Sequence, residues 1–153
     1  MRLKSKTTKP AVSWAPPLLE PPSYFNEIYD ASIRYQLPKD TIFVFGSNLA
    51  GIHGAGAAKI ARFEYGAKLG VGMGQTGRAY AIPTKDEYLE VLEKDIIEYY
   101  AQRFVKQTQS GERQYFVTAV GCGLAGYTPQ EMAPFFKGAK YCWFPSTWLP
   151  YLF

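Results

Sequence analysis

Apolar positions along this chain follow two periods. Thr41 to Phe45 is a short, continuously apolar run rich in β-formers, the pattern of a strand buried on both faces. Arg78 to Ile82, ended by Pro83, and Gln114 to Val120 predict further strands. Lys140 to Phe144 predicts a last strand, closed by Pro145-Ser146-Thr147-Trp148. Ala57 to Tyr65 predicts a helix with Gly66 as its C-cap. Its small residues Ala57, Ala58 and Ala61 let it lie close to a sheet. Thr84-Lys85-Asp86-Glu87 has the Thr-x-x-Glu form of a capping box and predicts a helix start. Leu89, Leu92, Ile96, Tyr99 or Tyr100, and Phe104 recur behind it at helical spacing. Thr128-Pro129-Gln130-Glu131 predicts another start, with Pro at the first helical position. Pro134 limits that helix to one turn before a break or kink. Strands alternating with helices predict an α/β domain with a mainly parallel sheet.

The flanks are less regular. Pro10, Pro16, Pro17, Pro21 and Pro22 break any helix or central strand over residues 1–22. Trp14 and Leu18-Leu19 suggest that part of this arm lies against the body. Tyr24 to Tyr35 fits a short helix or strand, Pro38-Lys39-Asp40 a turn, and Gly70 to Gly77 a flexible loop. The division expected is an arm and lead-in over residues 1–40 and one α/β domain over residues 41–153. At 153 residues the chain is long enough for one core without disulfides or metals. The aromatic end, Tyr141 to Phe153, either completes that core or forms an interface.

Charge changes the picture only when it is located. The net charge is +4, and Arg2, Lys4, Lys6 and Lys9 all fall in the first ten residues. The rest of the chain holds 13 of the 17 basic residues against 13 acidic ones, so it balances. A solvated arm is favoured over a nucleic-acid contact. Two cysteines are too few for a disulfide framework and show no metal-ligand spacing. No apolar run approaches a membrane span, and no apolar segment follows the basic N-terminus as in a signal peptide. A cytoplasmic protein, with no membrane partner, metal or cofactor, is expected; the oligomeric state is open.

The chemistry gathers at strand ends. Phe43-Val44-Phe45-Gly46-Ser47-Asn48 runs into a loop bearing Gly51, Gly54 and Gly56, then into the alanine-rich helix. Such a loop brings backbone N–H groups close to a phosphate, and the helix aims its positive end there. It is neither a Walker motif nor the dinucleotide Gly-x-Gly-x-x-Gly fingerprint. A second strand-to-glycine junction follows at Gly121-Cys122-Gly123-Leu124-Ala125-Gly126, and Pro83-Thr84-Lys85 stands at a third strand end. Ligands of parallel α/β sheets sit outside the carboxyl ends of strands. If the three strands are parallel, the three junctions share one rim.

These motifs resemble the macro domain, a family that binds ADP-ribose and related NAD-derived ligands. Val44-Phe45-Gly46-Ser47-Asn48 and Gly54-Ala55-Gly56-Ala57-Ala58 match its first strand, Asn-ended loop and small-residue helix. Val117 to Gly126 matches its later phosphate loop. The order Asn48, Pro83-Thr84-Lys85, Gly121-Cys122-Gly123-x-x-Gly126 is closer to the DarG-like branch, which removes ADP-ribose from DNA. The chain is also similar to small uncharacterised phage and bacterial proteins with this signature. The likeness covers residues 41–148. It implies a three-layer α/β/α fold with a mixed, mainly parallel sheet, binding of ADP-ribose or a related nucleotide, and an ADP-ribosyl hydrolase acting on modified DNA or protein. A non-catalytic sensor or sponge and a nucleic-acid-binding protein using the basic arm are the alternatives. The chain departs from the family ahead of its first core strand. The usual Gly-Asp-Ile-Thr, whose Asp reads adenine, is replaced by Asp40-Thr41-Ile42, which leaves the base specificity open.

The resemblance implies residue roles. Asn48 hydrogen-bonds the distal ribose, or braces its loop. Lys85 stabilises charge or acts as a nucleophilic amine beside that ribose, or is an exposed helix-start lysine. Gly54, Gly56, Gly121, Gly123 and Gly126 frame the diphosphate, and Gly46, Ser47, Ala55, Cys122, Leu124 and Ala125 join them as ligand-binding positions. His53, the single histidine, is a general base or a loop brace. Cys122 is a nucleophile or a space-filling residue. Tyr127 stacks on the ligand or belongs to the core.

Overall fold

The computed structural model describes Ser23–Phe25 and residues 40–152. The arm over residues 1–22, with its basic residues and Trp14, lies outside them, as does most of the lead-in. The strands are β1 (Ser23–Phe25), β2 (Ile42–Asn48), β3 (Gly74–Thr76), β4 (Ala79–Lys85), β5 (Tyr115–Val117) and β6 (Cys142–Pro145). They form one sheet in the order β1-β6-β5-β2-β4-β3. All neighbours are parallel except β3, which runs antiparallel to β4. The helices are α1 (Gly56–Tyr65), α2 (Lys94–Thr108) and the single turn α3 (Pro129–Met132).

Alternation along β2 divides the core into two layers, because successive strand side chains point to opposite faces. Phe43 and Phe45 face α1 with Ala79, Ala81, Ala61 and Tyr65. Phe43 stacks on Tyr65 with ring centroids 4.5 Å apart. Ile42 and Val44 face α2 with Tyr80, Ile82, Ile97, Ala101 and Phe104. The result is the expected three-layer α/β/α arrangement. Alanines on α1 and on β4 remove side-chain bulk between helix and sheet, which seats α1 low over the β2 end. The aromatic C-terminal segment completes the core: Trp143, Phe144 and Trp148 are fully buried.

Local expectations hold where backbone chemistry is explicit. Gly66 takes the left-handed conformation and its N–H bonds Ala61 O. Thr128 and Glu131 form a reciprocal capping box, Pro129 opens α3, and a tighter 3-10 turn replaces it at Ala133–Phe136. The expected helix start at Thr84 is overturned. Thr84 and Lys85 finish β4, a tight turn follows at Asp86, and α2 begins ten residues later at Lys94. The Asp86 carboxylate accepts from the N–H groups of Tyr88 and Glu90, at 2.8 and 2.9 Å, and so closes that turn itself. The buried stripe of α2 is accordingly Ile97, Ala101, Phe104 and Thr108. Ile96 and Tyr99, expected on that stripe, are exposed. Pro83 lies inside β4 instead of ending it; β3 pairs only as far as Ala81, so the missing N–H breaks no ladder bond on that side. The loop expected over Gly70 to Gly77 contains β3, and β5 stops at Val117 because Thr118 turns back to bond Val44 O through both its N–H and its hydroxyl.

Candidate functional site

β2, β4 and β5 are mutually parallel through the central β2, so their carboxyl ends lie on one edge. The three junctions bound a single cleft of about 410 Å³, within the range of small-ligand sites. From the first junction come Gly46, Ser47, Asn48, Gly54, Ala55 and Gly56. The second gives Thr84 and Lys85, and the third Gly121, Gly123, Leu124 and Ala125.

The walls are built by interlocked loops. Gly51 has φ +72°, and a Cβ there would stand 2.3 Å from the Gly70 carbonyl carbon. Gly72 packs as tightly on Asn48 O. Both glycines therefore serve the contact between the two loops. Gly121, with φ +78°, would press a Cβ to within 2.6 Å of Met132 Sδ. It is needed to seat the third loop on α3.

Gly54 and Gly123 are different. Neither has a left-handed φ, and a Cβ on either would meet nothing within 4 Å. Backbone conformation and packing leave both positions open to any small residue. What the two share is the cleft, where a missing side chain leaves room for a ligand to reach the backbone.

The cleft is electropositive. Lys85 is the sole ionisable side chain among the described residues that line it. No carboxylate pairs with its ammonium among those residues. The N-terminus of α1 opens on the same space, with Ala55 at the N-cap offering no side-chain acceptor and no acidic residue in the first turn. Its unpaired N–H groups carry a partial positive charge equivalent to ~0.5 of an elementary charge.

The neutral polar side chains are largely committed elsewhere. Thr84 Oγ1 donates to Ser47 O at 3.2 Å, and Thr118 Oγ1 to Val44 O at 2.7 Å. Asn48 is a loop brace: its Nδ2 donates to Ile52 O at 2.8 Å, and its Oδ1 accepts from Ile52 N–H at 3.0 Å. One amide hydrogen and one lone pair remain on Asn48 for a ligand.

Four expected site residues do not line the cleft. His53 is buried, edge-on to Phe45 at 5.3 Å. Its Nε2 lies 3.2 Å from Lys68 O and its Nδ1 3.4 Å from Ser47 Oγ. A carbonyl only accepts, so Nε2 carries the hydrogen and Nδ1 faces the serine hydroxyl. This is a brace between the first loop and the segment after α1. Cys122 turns toward the core, its Sγ 3.6 Å from Val120 O. Burial raises its thiol to about 11, against a smaller pull downward from Trp148. A thiol so shifted is a poor nucleophile at neutral pH. Tyr127 packs on the core and donates its hydroxyl to Leu92 O at 2.6 Å. Gly126, with φ +86°, turns the chain behind the loop.

The cleft also takes residues that pattern reading gave to other roles. Leu89 was expected on a helix stripe; the Asp86 turn instead sets it at the cleft with φ +66°. Asp86 is itself the signal, since Asp at a strand end builds such turns. Thr84, Thr118 and Ile52 join it.

No family model matches the chain, and no curated protein or solved structure matches it. The likeness to macro domains rests on the three motifs and their order.

Proposed function

We propose that the cleft binds ADP-ribose or a related NAD-derived nucleotide, with the diphosphate over Gly54, Gly123 and the α1 N-terminus. One observation carries this reading: Gly54 and Gly123, glycines with no internal reason to be glycine, face the same electropositive cleft from two separate loops. A diphosphate needs close backbone approach and positive charge from more than one side. Lys85 and the free valences of Asn48 then reach the distal ribose. The motif order of the macro-domain likeness agrees with that orientation.

Hydrolysis of an ADP-ribosyl bond is the second reading, supported by Lys85 beside Asn48 in the cleft. The described lining residues include no carboxylate, imidazole or thiol. A catalytic route would therefore run through the Lys85 amine, as nucleophile or as charge stabiliser. Without turnover, the same geometry serves a nucleotide sensor or sponge.

Isothermal calorimetry with ADP-ribose tests the binding. Saturable heat in the micromolar range is expected. No heat and no thermal shift at millimolar ligand would refute it. Release of ADP-ribose from modified DNA or protein by the wild-type chain, lost in Lys85→Ala with the fold intact, separates the enzyme from the sensor.

A further inference from the structure

We infer that the cleft is tolerant of the base, accepting ribose-bearing nucleoside diphosphates whichever base they carry. This rests on the nucleotide-diphosphate reading above and concerns the other end of the same ligand.

Each of the three junctions gives the cleft one exposed large aliphatic residue: Ile52, Leu89 and Leu124. All three are well exposed, at 50%, 48% and 84%. None belongs to either buried core cluster. Leu89 is the most telling. Its left-handed backbone suits Gly, Asn or Asp, yet the chain carries leucine there. The Asp86 carboxylate and the Leu89 N–H bond to Asp86 O hold it in place. An apolar side chain held in a disfavoured conformation, at a ligand cleft and outside the core, marks a contact surface for something that binds.

The cleft offers little that reads a base edge. No aromatic side chain lines it among the described residues, and Tyr127 is tied to Leu92 O away from it. The hydroxyls of Thr84 and Thr118 are spent on backbone carbonyls. The leftover valences of Asn48 lie beside Lys85 at the strand ends, where the proposed ribose sits. Among the described residues, what the cleft offers a base is therefore mainly aliphatic. Every base has an apolar face, and apolar contact separates similar ligands weakly, by ~10- to 200-fold at most, whereas a hydrogen-bonding site separates them by ~10⁴-fold or more.

Calorimetry on the full chain with ADP-ribose, GDP-ribose, IDP-ribose and UDP-ribose decides this, since the four share the diphosphate and the distal ribose. Dissociation constants within ~200-fold of one another are expected from aliphatic contacts alone. A spread above ~200-fold overturns the inference while leaving the diphosphate reading intact. Absence of binding by all four overturns the diphosphate reading itself, and this inference with it. Leu124→Ser, at a side chain outside the core, should keep the melting temperature and weaken all four by a similar factor. Weakening confined to one base also overturns base tolerance.

Discussion

Asn48 and Lys85 stand opposite each other across the parallel β2–β4 pair, just past a slip in register between Ser47 and Asn48. Ser47 pairs with Pro83 and Asn48 with Lys85, so Thr84 is the extra residue. Side chains alternate along a strand, and a one-residue slip exchanges the face they occupy. Without the bulge Asn48 would meet Thr84. With it, Lys85 and Asn48, the ionisable residue and the side-chain amide among the described cleft residues, take paired positions where the strands end.

Lys85→Met should weaken ADP-ribose binding by about tenfold to a hundredfold, the range of one charge-assisted hydrogen bond. Its melting temperature should hold, because Lys85 has no ion-pair partner among the described residues. The remaining affinity should depend less on salt. Calorimetry at two ionic strengths measures both effects. Equal salt dependence in the two proteins would mean that the Lys85 charge adds nothing to the cleft's attraction for the diphosphate.

The glycines divide into two classes. Gly121→Ala should cost about 1–3 kcal/mol, from its left-handed φ and from the displacement of Met132. Gly54→Ala and Gly123→Ala should leave urea midpoints unchanged or slightly higher, because the new Cβ meets no protein atom. Both should nonetheless weaken binding tenfold or more. Retained affinity in both variants would leave the diphosphate without its proposed seat.

His53→Ala should lose about 1–3 kcal/mol, since it strips a buried brace from Ser47 and Lys68. Chemical denaturation measures this. If His53 instead serves as a base, His53→Ala would keep its stability and lose turnover.

Stability should fall on the alkaline side. Burial raises Cys122 from 9.0 to about 11 and Cys142 well above 9.0. The unfolded thiols release protons above pH 9 while the folded ones hold theirs, so the native state binds more protons and loses stability as pH rises. For Cys122 the loss runs from about pH 9 to about pH 11. Tyr80 and Tyr115, also raised by burial, act in the same direction. Denaturation midpoints across that range should fall less steeply in Cys122→Ala. Iodoacetamide at neutral pH should leave Cys122 largely unmodified.

Two Thr-x-x-Glu stretches show where the sequence was readable and where it was not. At Thr128 the following proline enforces a helical φ, and the capping box forms as written. At Thr84 the same pattern is overruled. Thr84 Oγ1 donates to Ser47 O and Thr84 O accepts from Leu92 N–H, contacts made by residues distant in the chain. The glycine loops were equally ambiguous as text. Gly51 and Gly121 proved to serve packing and Gly54 and Gly123 open space, a distinction set by neighbours from other elements.

The sequence by itself determined the α/β alternation, the buried β2, the C-cap at Gly66 and the three strand-end motifs. These follow from local chemistry: hydrophobic period, backbone freedom of glycine, and the fixed φ of proline. The tertiary structure alone decided that the three junctions share one cleft, that Asn48 stands beside Lys85, and that His53 and Cys122 face inward. No helix of the described residues is long and apolar enough to cross a membrane, as the lack of a long apolar run already implied. Strand direction, a single bulged residue and burial are relations between distant segments, and no local pattern carries them.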